Sequence, residues 1–233
     1  MDKNTPFLAL DLELNQPSNR IIQVGIALGS RMQSEEEWVV RQWLLDPEEP
    51  IAPFITELTG ISDADIAAGA VPWTQMASEL GALIEAHRSF INPVTWGGGD
   101  SVELLAGLRE RSIDFPFFGR RWVDVKTMHT FLALTHGKNP TGGLRSILSH
   151  YKIRFAGTPH RAHHDAFNTL RLFFRLLERQ ESLEAIVALA KGVEGLPQKD
   201  CDSAMKVLAQ GVGGYQTKIH PPAAQATVKG TSA

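Results

Sequence analysis

The sequence predicts a mixed α/β domain, and three observations carry that reading. Apolar segments of strand length open the chain, short apolar runs then alternate with segments of helical spacing, and 43% of the 233 residues are hydrophobic. That content supports one well-cored domain with extensions.

Residues 7 to 14, 20 to 28 and 37 to 45 are rich in Ile, Val, Leu and Trp, and Gly29-Ser30-Arg31-Met32-Gln33 between the last two suits a hairpin loop. Three strands in meander order are therefore expected first. Asp46-Pro47-Glu48-Glu49-Pro50 interrupts regular structure, because proline lacks the amide donor that strand and helix interiors use. Helical or turn-like pieces follow around 54 to 58 and 63 to 68, and a stronger amphipathic pattern spans 73 to 87. Phe90 to Trp96 reads as a fourth strand, Ser101 to Arg111 as a helix and Arg121 to Val125 as a fifth strand. Helices are expected at 126 to 136, 142 to 150 and 162 to 179. Antiparallel strands followed by strand–helix units fit a five-stranded mixed sheet flanked by helices, whose strand order periodicity leaves open.

Beyond Arg179 the pattern weakens. Ser182 to Ala190 and Ser203 to Ala209 have helical character around the break Gly192-Val193-Glu194-Gly195-Leu196-Pro197, and from Gly211 onward too little apolar surface remains to offset the entropy of ordering. The expected organisation is a principal domain at 1–180, a helical extension at 181–210 and a disordered tail at 211–233.

A single cysteine, Cys201, excludes an intrachain disulfide, and Met1-Asp2-Lys3-Asn4-Thr5 lacks the basic-then-apolar order of a secretory signal. The expectation is a cytoplasmic protein. No apolar stretch approaches the roughly 18 residues that span a bilayer, so no membrane partner is expected. The net charge of −3 conceals an asymmetry: residues 1 to 118 hold 7 Lys/Arg against 18 Asp/Glu, whereas residues 119 to 179 hold 11 against 3. Arg120, Arg121, Lys126, Lys138, Arg145, Lys152, Arg154, Arg161, Arg171 and Arg175 can attract a polyanion if they converge, and are ordinary solvated faces if they do not.

The chemistry concentrates in a few carboxylates. In Phe7-Leu8-Ala9-Leu10-Asp11-Leu12-Glu13-Leu14, side chains alternate faces, so Leu8, Leu10, Leu12 and Leu14 share one side while Asp11 and Glu13 stand together on the other. Like charges in an apolar strand require protonation or a hard divalent cation such as Mg²⁺ or Mn²⁺, unless the strand end simply emerges into solvent. Asp100 follows Gly97-Gly98-Gly99 where a strand stops and a helix begins, and its spacing to Glu103 also fits a capping box. Asp165 falls in the first turns of the 162–179 helix, where the helix dipole alone would favour a carboxylate. Five helical residues turn about 500°, so His160 and Asp165 converge only if His160 lies on a loop after Pro159. There a histidine can take a proton from water as a general base. His163 and His164 compete for that role, with surface residence as their default.

Together, Asp11 and Glu13, Asp100, and the run of His160, Ala162, Asp165 and Ala166 resemble the DEDDh 3′-5′ exonucleases of the DnaQ-like superfamily. The likeness covers about residues 6 to 180. It looks most like the ERI-1 and KinA-pathway-inhibitor branch, through Ile21-Ile22-Gln23-Val24-Gly25, Leu58-Thr59-Gly60-Ile61 and Thr95-Trp96-Gly97. The resemblance implies an RNase H-like fold, two Mg²⁺ or Mn²⁺ ions held by Asp11, Glu13, Asp100 and Asp165, and His160 as base. It further implies hydrolysis of single-stranded RNA or DNA from 3′ ends to nucleoside 5′-monophosphates, with Leu12, Leu14, Thr59 and Ile61 near the terminal nucleotides. The triple glycine and the His163-His164 pair depart from near relatives and bear on substrate preference. Within the same fold, a polymerase-associated proofreading or repair enzyme and a non-catalytic nucleic-acid binder are the alternatives. A Ser/His/Asp hydrolase is disfavoured, because no Gly-x-Ser-x-Gly elbow occurs. Oligomeric state is not readable from the sequence.

Overall fold

A computed structural model describes residues 2–135 and 140–190. Its sheet begins with β1 (Phe7–Leu14), β2 (Ile21–Gly29) and β3 (Val39–Leu44), paired antiparallel in the expected meander. Nine residues join β2 to β3, including a short 3₁₀ turn at Glu35–Glu37. The chain continues through α1 (Pro53–Thr59), α2 (Asp63–Gly69) and α3 (Trp73–His87), then β4 (Val94–Thr95), α4 (Asp100–Glu110), β5 (Val123–Asp124) and α5 (Val125–Thr135). Helices α6 (Leu144–His150) and α7 (Ala162–Ala190) follow. The five strands are ordered β3-β2-β1-β4-β5, with β4 and β5 parallel to β1.

Alternation in β1 sorts its residues as expected. Leu8, Leu10 and Leu12 pack with Met76, Leu80 and Ile84 of α3 and Leu104 and Leu108 of α4, whereas Phe7 and Ala9 pack with Leu144, Ile147 and Leu148 of α6 and Leu170 and Phe173 of α7. Helices thus cover both faces, and β2 is buried along its whole length. Each fully buried Leu or Phe contributes about 1.5–3 kcal/mol relative to an exposed one. Asp11 and Glu13, on the α6/α7 side, emerge where this second core ends.

Three elements differ from the sequence pattern. The fourth strand is Val94–Thr95 and not Phe90–Trp96, because Pro93 has no amide to donate and the glycines after Trp96 end the pairing. The fifth is limited to Val123–Asp124, since Asp124 starts α5 at once: its carboxylate accepts the Thr127 amide at 2.9 Å and the Thr127 hydroxyl at 2.8 Å. The helix expected at 162–179 runs on to Ala190 and absorbs the segment read separately at 182–190.

Two compact units divide the chain, Met1–Glu178 and Arg179–Ala233, and of the second the described part is the end of α7. Lys138, the helix expected at 203–209 and the tail at 211–233 lie outside the described residues. No helix among the described residues is long and apolar enough to cross a membrane.

Candidate active site

The site is assembled where the start of α7 meets β1 and β2. Asp11 pairs across the ladder with Gly25, and Glu13 with Gln23. A Cβ on Gly25 would lie 2.0 Å from the His163 nitrogen and 2.1 Å from the Ala162 carbonyl carbon, so only glycine lets the α7 backbone rest on the strand here. Gln23, fully buried, fixes the contact: its Oε1 accepts the Ala162 amide at 2.8 Å, and its Nε2 donates to Gln42 Oε1 at 2.7 Å. The first helical turn then carries Asp165 over the two β1 carboxylates. One oxygen from each of Asp11, Glu13 and Asp165 lies within 4.8 Å of the other two.

Asp100 joins this group electrostatically and stands outside the close trio. The capping-box alternative is not realised: α4 begins at Asp100 itself, and the Gly99 carbonyl accepts the Val102 and Glu103 amides at 3.0 Å while Gly99 provides no side chain. Asp100 is therefore one residue too far into the helix to cap it, which frees its carboxylate. Gly97, with φ of 103°, supplies the backbone turn that leads to it. Burial, then the negative charges of Asp124 and Glu103, push Asp100 up to about 7. Burial first, then Asp165 and Asp100, raise Glu13 to about 8 against the lowering effect of Arg161. Asp11 is driven well above the ordinary carboxylate range by burial, Asp100, Asp165 and Glu13 in that order. Burial also raises Asp165, opposed by a backbone hydrogen bond from His160 and by the His160 charge.

Four carboxylates crowded so that each resists ionisation fit hard divalent cations, which neutralise the charge and take oxygen donors. The donor set suits Mg²⁺ or Mn²⁺ on chemical grounds, being all carboxylate.

His160 lies on the loop after Pro159, not in α7, as convergence with Asp165 requires. Its φ of 59° is unusual for a residue with a side chain, and such backbone conformations persist only where the surroundings hold them. Arg161 supplies part of that hold, donating from Nη2 to the Gly60 carbonyl at 2.9 Å. Asp11, Glu13, Asp165 and His160 together line a cleft of about 1000 Å³. The other two histidines turn elsewhere. His163 has a buried Nδ1 without a partner and is held down to about 4 by burial, His164 and Arg161, while His164 Nδ1 accepts the Thr158 amide at 3.0 Å.

Of the residues expected near a terminal nucleotide, Leu12 lines the cleft and Leu14 does not. Thr59 and Ile61 are also outside its lining. Ile61 is fully buried among Ile22, Ile51, Ile55 and Ile66, and the Thr59 hydroxyl donates to the Ile55 carbonyl at 2.8 Å and accepts the Ile61 amide at 3.1 Å. Their side chains build the α1–α2 turn.

The opposite wall comes from α6, whose sequence pattern marked it only as a helix. Leu144, Ile147 and Leu148 face the core, leaving Arg145, Ser146, Ser149 and His150 exposed along the cleft. That stripe was legible as helical spacing, i to i+4 from Arg145 and from Ser146. Trp96 and Phe155 complete the apolar part of the lining. Of the basic set, Arg145 faces this cleft, whereas Arg171 pairs with Glu35 at 2.8 Å and Arg175 with Glu178 at 3.4 Å.

No protein-family model and no curated protein matches the sequence. Solved structures do share its fold. The nuclease domain of 3′hExo, a DEDDh family member bound to rAMP, superposes with a TM-score of 0.64 at 17% identity, over 76% of this chain and 93% of that one. Cell-death related nuclease 4 gives 0.60 at 14% identity over 76% and 65%, and E. coli exonuclease I in complex with a dA16 oligonucleotide gives 0.56 at 16% over 75% and 41%. The chain thus spans nearly all of an isolated nuclease domain but only 62% of a full-length 3′-exonuclease. At these identities the likeness establishes an RNase H-like fold.

Proposed function

We propose that this chain is a DEDDh exonuclease of the DnaQ-like superfamily that hydrolyses single-stranded RNA or DNA from the 3′ end to nucleoside 5′-monophosphates. One observation carries the reading: Asp11, Glu13 and Asp165, from two separate elements, bring oxygens within 4.8 Å of one another in a cleft that His160 also lines. A fold alone would not demand that convergence. Similar folds with polynucleotide ligands, a histone mRNA stem-loop in one and dA16 in another, agree with a nucleic-acid substrate.

Asp11, Glu13, Asp100 and Asp165 are the residues that would hold two divalent ions, which when bound supply Lewis-acid stabilisation of the attacking and leaving oxygens of an in-line displacement. His160 takes the proton of the attacking water at an imidazole nitrogen. Its exposure on the loop lets it pass that proton to solvent, and the Asp165 carboxylate stabilises the imidazolium that forms. Leu12 presents backbone and side chain to the terminal nucleotide, with Leu14 following at the strand end. Thr59 and Ile61 act from behind, holding the Gly60 carbonyl to which Arg161 ties the histidine loop. The catalytic domain occupies 1–180.

The test is a denaturing gel of 5′-labelled single-stranded RNA and DNA incubated with Mg²⁺, Mn²⁺ or EDTA. A metal-dependent ladder shortening from the 3′ end is expected, abolished in Asp11→Ala and Asp165→Ala and weak in His160→Ala, since losing the base leaves the carboxylates assembled. Intact substrates under every metal condition, with folded protein, would overturn the assignment.

A further inference from the structure

The exposed stripe of α6 continues past the carboxylates. Arg145, Ser149, Phe155 and Pro159 line both the catalytic cleft and a second one of about 410 Å³, to which Arg154 contributes but in which no carboxylate takes part. The two spaces are therefore contiguous and opposite in character, acidic at one end and basic at the other. Neither Arg145 nor Arg154 has an acidic partner among the described residues, in contrast to Arg171 and Arg175. Both side chains are exposed.

The basic end is also held in advance. The segment that carries Arg154 and Phe155 is fastened to α7 by buried Asn168, whose Oδ1 accepts the Ala156 amide at 3.0 Å and whose Nδ2 donates to the Ala156 carbonyl at 2.8 Å. Arg171 adds a bond to the Arg154 carbonyl at 2.7 Å. A loop already fixed through its backbone loses little further freedom on binding a ligand. A space of about 1000 Å³ is at the upper end for one drug-sized ligand, and about 410 Å³ more leaves room for another group of nucleotide size.

We propose that the second cleft is the path of single-stranded nucleic acid on the 5′ side of the terminal nucleotide, with Arg145 at the junction and Arg154 beyond it neutralising successive phosphates. Phe155, half-buried between the two spaces, offers a face for base stacking, which is tolerant of sequence. The direction of the strand rests on the 3′-exonuclease reading; the phosphate-binding role of the cleft does not.

The experiment compares 5′-fluorescein-labelled trimers and 12-mers of dT and of U. Their binding to the full chain is followed by fluorescence anisotropy across salt concentrations, and their cleavage in Mn²⁺ is followed in parallel. Arg154→Glu is expected to weaken 12-mer binding on the order of tenfold at low salt, with a log–log salt slope shallower by about 0.7 for each phosphate that is no longer neutralised. The preference for 12-mer over trimer falls accordingly, and Arg154→Lys restores most of it. An equal effect on trimer and 12-mer, or an unchanged salt slope in a variant with wild-type melting, overturns the proposal. Length-dependent binding that responds to Arg154 but is accompanied by no cleavage supports the path and removes the exonuclease reading.

Discussion

Replacing Glu13 with Gln removes one charge from the carboxylate cluster with almost no change of shape, and its effect on the metal-free protein follows from the site's electrostatics. Glu13 is 9% exposed and is raised from an ordinary 4.5 to about 8, so between those values the folded protein keeps a proton that the unfolded chain has released. Stability from this group is fully present below about 4.5 and is lost as pH rises toward 8, at about 1.4 kcal/mol per pH unit. The full displacement sets a ceiling of about 5 kcal/mol. Burial is the largest cause of this displacement and the charges of Asp165 and Asp100 come after it, so in a cluster that titrates together the gain from removing one member stays below the ceiling, on the order of 2–3 kcal/mol near pH 8. For a unit of this size the melting temperature of Glu13→Gln should exceed wild type by about 4–12 °C near pH 8.5 and match it near pH 5. Melting of EDTA-treated proteins by circular dichroism across that range reads the difference directly. Mn²⁺ should then raise the wild type at high pH by more than the variant, which has lost a ligand. Parallel pH profiles for the two proteins would refute the reasoning.

Three other substitutions test how the site is held. Gly25→Ala places a methyl group 2.0 Å from the α7 backbone, so the helix start must shift; activity should fall by about a hundredfold or more, as expected for a misplacement near 1 Å, with far-ultraviolet circular dichroism retained. Gln23→Leu leaves the buried Ala162 amide without its acceptor, and urea unfolding should show a loss of about 1–3 kcal/mol. Ile61→Ala removes a side chain with no solvent exposure from the five-isoleucine cluster and should cost about 2–5 kcal/mol in the same assay, whereas a change confined to substrate KM would contradict its packing role.

The alternation of β1 was readable from the sequence because a strand's two-residue period depends only on the chain itself. It placed Leu8, Leu10 and Leu12 in one core and Asp11 and Glu13 opposite, as found. The loop position of His160 followed similarly, from Pro159 and the angular period of a helix. Asp100 shows where local pattern misleads. Its spacing to Glu103 satisfies a capping box, but the helix starts one residue earlier than that motif needs, a shift set by how the glycines turn after β4. The short β4 and β5 were equally hidden, since pairing length depends on neighbours distant in sequence.

By itself, then, the sequence marked the candidates: the two-residue strand period puts Asp11 and Glu13 on one face, and the resemblance to the DEDDh pattern adds Asp165 and a histidine after Pro159. Only the tertiary structure decided that they meet. Convergence depends on α7 resting against β2 at Gly25 and being anchored by Gln23, a contact across 139 positions that no local period encodes. The same packing turned His163 inward, left His160 facing the cleft, and set the polar stripe of α6 against the carboxylates. Side-chain chemistry is a property of each residue, whereas distances among residues remote in sequence are set by which faces the folded cores bury.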